Sequence, residues 1–289
     1  MRKLNQITFV IVVFIATTFN IVAQNNTKTN LWKIEGNDIK TSYLFGTIHM
    51  IPKKDFIMKN KVQSAFDSSE KVVLELDMDD PNYYKDFVKL SMLKEGESLK
   101  SYMSDAEFEI LNTYLMEKTG VGVSNYNMFK PMMLMSVFTM TTIGGEPLES
   151  YEMSLINMAK TANKEVSGLE NIADQINAFD ADPYDEQIDT IVEMVSNGNS
   201  QELYNKLLQY YLAEDIDGIY DFMDDYMQDD TEGVKRFLDD RNNKWIPKIE
   251  AYSKDNSVFY AVGCGHLGGE QGVINLLKNA GYTVTPIID

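Results

Sequence analysis

Short apolar runs of strand length mark both ends of the chain, whereas the middle carries apolar residues at helical spacing. After a polar stretch, QNNTKTN, the segments LWKIE and SYLFG flank a turn-rich GNDIKT, which predicts a β-hairpin. NKVQSAFDSSE follows, with Val62, Ala65 and Phe66 on one helical face, and then the strand-length run KVVLELD. From about Pro81 to Ala251 the pattern is mostly helical. DAEFEILNTYLMEKTG is expected to start at a capping Asp105 and stop at Gly120, and PMMLMSVFTMTTIGG to start at Pro131. SLINMAKTAN reads as a helix leading into a strand, KEVSGLE. The last forty residues return to strand, helix, strand: SVFYAVG, GGEQGVINLLKNAG and YTVTPI. Neither set of terminal strands makes a core alone, so both are expected in one sheet. The prediction is an α/β fold over residues 24–289, with a central sheet built from both chain ends and a large helical section, about 81–251, between them.

The first residues read differently. A basic start at Arg2 and Lys3 precedes an apolar run from Phe9 to Ala16, and no acidic residue occurs before Glu35. This is the layout of a secretory signal peptide over residues 1–23, with cleavage after Ala23. The expected location is periplasmic or extracellular, with no transmembrane segment after cleavage; an uncleaved signal would anchor the chain to a membrane.

The chain carries 26 basic and 44 acidic residues, a formal net charge of −18. That balance repels phosphate backbones and argues against a nucleic-acid partner. A single cysteine, Cys264, excludes an intramolecular disulfide. Nothing in the sequence fixes an oligomeric state.

The two histidines are the candidate chemistry. His49 lies in FGTIH and His266 in VGCGH, each with a glycine three places before it and a strand before that. In open α/β sheets the carboxyl edge of the strands is where ligands bind. If the two strands are neighbours, the imidazoles converge. Paired imidazoles suit a metal better than a nucleophilic triad, which needs one histidine as base. The strand VVLELD offers Glu75 as a carboxylate partner, though an ion pair at a sheet edge would account for it equally. Asp77 shares its facing parity. Two imidazoles and a carboxylate suit water activation for hydrolysis, and equally iron chemistry.

These motifs resemble the TraB/GumN family, which includes the Tiki metalloproteases. Its two GxxH motifs correspond to Gly46-Thr47-Ile48-His49 and Gly263-Cys264-Gly265-His266, with Glu75 on the strand between. VSGLE followed by Gln175 resembles the family's Gly-Leu-Glu segment, placing Gly168 and Glu170, and DDRNNKW resembles its Arg-Asn segment, placing Arg241 and Asn242. The likeness spans about Leu31 to Pro286. It implies a fold like that of Tiki and erythromycin-esterase-like enzymes. It also implies a divalent metal, such as manganese or cobalt, held by His49, His266 and Glu75, with Glu75 either ligand or general base. Arg241 and Asn242 are implied to orient a peptide or other small substrate, or to stabilise its developing charge. Related folds include a haem-binding protein, so haem is a further cofactor reading. A non-catalytic metal-binding protein and an accessory factor in surface polysaccharide or signalling-peptide pathways are the competing functions. Cys264 stands where the family has a small residue and is read as packing.

Two further stretches invite chemistry. DIDGIYDFMDDYMQDD is acidic, but Gly218 comes too early for a calcium loop. Its apolar residues instead recur at helical spacing. The methionine-rich MFKPMMLMSVFTM is read as a flexible apolar helix, in the core or lining a groove.

Overall fold

The computed structural model describes residues 28–144, 147–227 and 230–289. The proposed signal peptide lies outside them. The chain begins with β1 (Leu31–Glu35), β2 (Ser42–Thr47), a short β3 (Ile51–Pro52), α1 (Asn60–Asp67) and β4 (Lys71–Leu76). The helical section holds α2 (Tyr83–Leu90), α3 (Asp105–Thr119), α4 (Pro131–Ile143), a short β5 (Leu148–Glu149) and α5 (Tyr151–Thr161). It continues with β6 (Glu165–Glu170), α6 (Ile172–Phe179), α7 (Tyr184–Asn197), α8 (Ser200–Leu212) and α9 (Ile216–Met227). A four-residue α10 (Thr231–Val234) runs through a π-helical turn, Lys235–Asp239, into α11 (Asp240–Asp255). The chain closes with β7 (Val258–Gly263), a single 3-10 turn at Cys264–His266, α12 (Val273–Asn279) and β8 (Thr283–Pro286).

The strands from both ends form one sheet in the order β6-β4-β7-β2-β1-β8. β1 and β2 make the expected antiparallel hairpin, and β8 pairs antiparallel with the far side of β1. The four strands on the other side run parallel, with Thr47 opposite Gly263, Leu74 opposite Ala261 and Leu76 opposite Glu170. β4 and β7 are buried along their whole length. That is why they read as unbroken apolar runs rather than alternating ones. The main core joins this sheet to α1, α5, α8, α9, α11 and α12 through residues such as Phe66, Leu155, Ile219, Trp245 and Leu277. A second buried cluster lies within the helical section, where Leu111 and Leu115 of α3 meet Leu134 and Phe138 of α4 and Ile188 and Ile191 of α7.

Boundaries differ from expectation in three places. The cap of α3 is Ser104, not Asp105: its hydroxyl accepts the Glu107 N–H while the Glu107 carboxylate accepts the Ser104 N–H. This reciprocal capping box moves Asp105 into the first turn. α12 begins only at Val273, because Gly268 and Gly269 shape a turn and Gly269 has a positive φ of 78°. α5 begins three residues before SLINMAKTAN, capped by the Ser150 hydroxyl on the Met153 N–H. The acidic DIDGIYDFMDDYM stretch forms the helix α9 rather than a loop. Among the described residues no helix is long and apolar enough to cross a membrane.

Candidate metal centre

The parallel register of β2 and β7 brings the two GxxH segments side by side at the carboxyl edge of the sheet. The first glycine of each motif lies in close contact with the turn of the other. A Cβ on Gly46 would lie 2.6 Å from Leu267 Cδ1 and 3.3 Å from Cys264 Cα. A Cβ on Gly263 would lie 3.3 Å from Glu75 Oε1 and 3.4 Å from His49 Nε2. Glycine is thus the residue that lets the two turns lie across one another.

Glu75, near the end of β4, is the centre of the cluster. Its Oε1 accepts the Gly263 N–H at 2.7 Å. The same oxygen lies 4.0 Å from His49 Nε2 and 3.9 Å from His266 Nε2. Both imidazoles therefore present Nε2 to one carboxylate oxygen. Each has its Nδ1 tied elsewhere. His266 Nδ1 faces Asn242 Oδ1 at 2.6 Å, and Asn242 Nδ2 donates to the Gln271 carbonyl at 2.9 Å, which fixes the orientation of the amide. His266 Nδ1 therefore carries the proton, and its Nε2 keeps a lone pair. His49 Nδ1 lies 3.0 Å from Glu152 Oε1. Glu152 is held in turn by the Thr47 hydroxyl at 2.7 Å and the Ser150 hydroxyl at 2.8 Å. Histidines that bind metals commonly have this kind of outer partner on the far nitrogen.

Arg241, from the first turn of α11, crosses the cluster. Its Nη2 donates to Glu75 Oε2 at 2.6 Å and to Glu170 Oε1 at 2.5 Å, and its Nε donates to Glu170. Its Nη1 donates to the Phe237 carbonyl at 3.0 Å and faces His266 Nε2 at 3.2 Å. An arginine has five N–H donors, and all five are engaged here. Gln175 of α6 donates to Glu170 at 2.9 Å and reaches Glu75 at 3.4 Å. The Trp245 ring packs 4.5 Å from the His266 ring.

These neighbours set the protonation states. Burial pushes His266 down to about 3, against the pull of Glu75 and with help from Arg241, so it is neutral near pH 7. Burial acts to raise Glu75, but the positive charges at His266, His49 and Arg241 outweigh it and hold the carboxyl down at about 2. Because His266 is neutral at pH 7, the lasting support for that carboxylate comes from His49, Arg241 and the Gly263 N–H. Burial also lowers His49, but the Glu152 hydrogen bond and the charges of Glu75 and Glu152 raise it to about 9. The His49 side chain is 64% exposed, so water screens part of that field. Burial pushes the Cys264 thiol up to about 12, which removes it as a nucleophile near pH 7.

The structure brings together His49, Glu75, Glu170, Arg241, Asn242 and His266. Asn242 touches His266 and the backbone and is buried, so it acts on the imidazole rather than on open space. Asp77 lies just past β4, where its carboxylate accepts the Asp79 N–H, and it makes no bond to the cluster. Glu152 is the residue that sequence reasoning missed. The signal was present as Ser150 followed by an acidic first turn, an ordinary helix start.

Among the described residues no group of three or more His, Cys, Asp and Glu is placed so that it could hold a metal ion as it stands. The donors nevertheless suit a transition metal: two Nε2 atoms and a carboxylate, with both Nδ1 atoms already committed. In this structure the Arg241 guanidinium takes up the same atoms, pairing with the Glu75 carboxylate and donating toward His266 Nε2.

The TraB/PrgY/gumN family model matches residues 30–286. Metalloprotease TIKI2 of Xenopus tropicalis is 22% identical, over 91% of this chain and 60% of its own length. Metalloprotease TIKI1 of Danio rerio is 22% identical over 90% and 63%, and the Metalloprotease TIKI homolog of Nematostella vectensis is 22% identical over 90% and 67%. The chain thus spans about three fifths of the length of most of the curated relatives it matches. No solved structure matches it significantly. With the match running from the start of β1 to the end of β8, the chain belongs to the TraB/PrgY/gumN family.

Proposed function

We propose that the protein is an exported metal-dependent hydrolase, peptidase-like in its reaction. The observation that carries the reading is the convergence of both His Nε2 atoms on Glu75 Oε1, with each Nδ1 held by a separate partner. His49, His266 and Glu75 would hold a divalent cation, manganese or cobalt being the metals to test first. A cation there would supply Lewis acidity toward a substrate carbonyl and would acidify water. The chain's own residues define the rest. Asn242 fixes the neutral His266 in the tautomer that leaves Nε2 available, while Glu152 holds His49 Nδ1, so that His49 Nε2 would give up its proton on binding a cation. Against the effect of burial, His49, Arg241 and the Gly263 N–H hold the Glu75 carboxyl below the usual carboxylate range, which makes it a poor proton acceptor near pH 7 and favours it as ligand over general base. Arg241 aligns Glu75 and Glu170, and its Nη1 donor becomes free for a substrate oxygen when His266 Nε2 is engaged elsewhere. Export rests on the basic and apolar start of the sequence.

The test pairs metal analysis with turnover. Purified protein is assayed on a peptide library with added manganese or cobalt, beside a His49→Ala, His266→Ala double variant. Metal retention and cleavage are expected in the parent and lost in the variant. Cleavage that survives the double change overturns the reading. Arg241 is unsuitable for this test, since removing it strands two buried carboxylates at a cost of about 3–5 kcal/mol.

A further inference from the structure

A groove of about 790 Å³ lies between α4, the end of α6, α7, Tyr226 of α9, Asp230 and Phe237. Its size is that of a ligand site, in a range of about 300–1,000 Å³. Met132, Met135, Phe179, Met194, Tyr226 and Phe237 supply an apolar lining. Asp182, Glu186, Glu193 and Asp230 supply carboxylates, and among the described residues no lysine or arginine lines the groove. Asp182 is neutralised by Arg236, and Asp230 caps the Gly233 N–H. Glu186 and Glu193 stand seven residues apart, on one face of α7, and both are exposed.

Two connections tie this groove to the candidate metal centre. The Phe237 ring lines the groove while the Phe237 carbonyl accepts a hydrogen bond from Arg241 Nη1. On α9, Met223 lies over the second GxxH turn, its sulfur 2.7 Å from where a Gly265 Cβ would be. Tyr226, three residues further along the same helix, lines the groove. Three residues of helix rise about 4.5 Å. α9 thus runs from the second GxxH turn to the groove.

We infer that the groove is a substrate subsite for an extended polypeptide segment that combines apolar side chains with lysine or arginine. This rests on the peptidase-like reading and names the substrate class for it. Methionines adapt to apolar side chains of different shape, which suits a site that tolerates varied sequences. The two unneutralised carboxylates of α7 select the basic residues, and they reject an acidic segment by like-charge repulsion. Peptide is favoured over an acidic or neutral ligand because apolar lining and uncompensated negative charge occur together along one continuous surface.

The experiment measures binding without turnover. Short labelled peptides of equal length, pairing leucine with lysine, with glutamine or with glutamate, are titrated against the full protein in chelator by fluorescence anisotropy. The lysine peptide is expected to bind about tenfold tighter than the glutamine peptide, and the glutamate peptide more weakly than either. Because the whole chain is acidic, two double variants separate the groove from general attraction. Glu186→Gln, Glu193→Gln changes the groove, while Glu109→Gln, Glu117→Gln makes the same charge change on α3. Loss of affinity in the groove variant alone supports the site; equal losses, or no loss, overturn it. If no peptide is ever cleaved but groove-dependent binding persists, the peptidase reading falls and the subsite stands. If peptides are cleaved with a KM indifferent to the groove variant, the subsite falls and the peptidase reading stands.

Discussion

At the scale of single residues, the two histidines have opposite electrostatic characters, and this predicts how stability depends on pH. His266 is held down at about 3, below its value in the unfolded chain. The unfolded state therefore binds a proton near pH 6.5 that the folded state refuses, and folding stability falls as pH drops from about 6.5 toward 3. His49 is raised toward about 9, so its contribution is complete below about 6.5 and is lost as pH rises through 9. Glu75 adds its own loss only once pH falls below about 4.5. In urea unfolding of metal-free protein between pH 4.5 and 6.5, the difference between the parent and a His266 variant therefore reports His266. His266→Gln is expected to flatten the pH dependence in that window, and a slope unchanged from the parent would mean that the imidazole is not buried as described. The identity of both histidines was legible in the sequence because rare residues recurred in one local setting. Their partners were not: nothing in the pattern of Asn242 or Glu152 says which imidazole nitrogen each will meet.

At the scale of elements, the decisive unit is the start of α5. The Ser150 hydroxyl caps the helix on Met153 and also donates to Glu152 Oε2, so one side chain sets both the helix end and the carboxylate that faces His49. Ser150→Ala is expected to lower stability by about 1 kcal/mol, the ordinary cost of a lost cap, measurable by chemical denaturation. It is also expected to weaken metal binding through the slackened Glu152, by less than the loss caused by changing His49 itself. A stability loss with unchanged metal affinity would separate the cap from the site. Strands β4 and β7 were readable because full burial leaves a continuous apolar run. β3 and β5, two residues each, carry too little pattern to be seen, and their pairing depends on chain brought from far away. The glycines at the start of α12 misled the reading in the other direction, since a helical spacing of apolar residues does not show where a turn delays the helix.

At the scale of the whole molecule, the sheet and the candidate centre depend on the same strands. A cation held between His49, Glu75 and His266 would bind the folded chain and not the unfolded one. At one hundred times its dissociation constant it would add about 2.7 kcal/mol of stability. Added manganese or cobalt is therefore expected to raise the melting temperature, chelator to reverse the rise, and His266→Gln to abolish it. A melting temperature indifferent to every divalent metal tried would remove the metal from the proposal, whatever the activity assays report. The order of the elements was legible because both chain ends lack a core of their own. The groove in the helical section was not, because its walls come from α4, the end of α6, α7, Tyr226, Asp230 and Phe237, which only the tertiary packing brings together.

The strand order has a consequence in time. β7, which follows β2 by more than two hundred residues, lies between β4 and β2 in the sheet. Until residue 263 is available, the two early strands have no common neighbour, Glu75 lacks the Gly263 N–H, and His49 has no counterpart. The growing chain thus carries His49 and Glu75 for nearly two hundred residues without being able to assemble the centre. Any chemistry the centre performs is withheld by topology until β7 has been made.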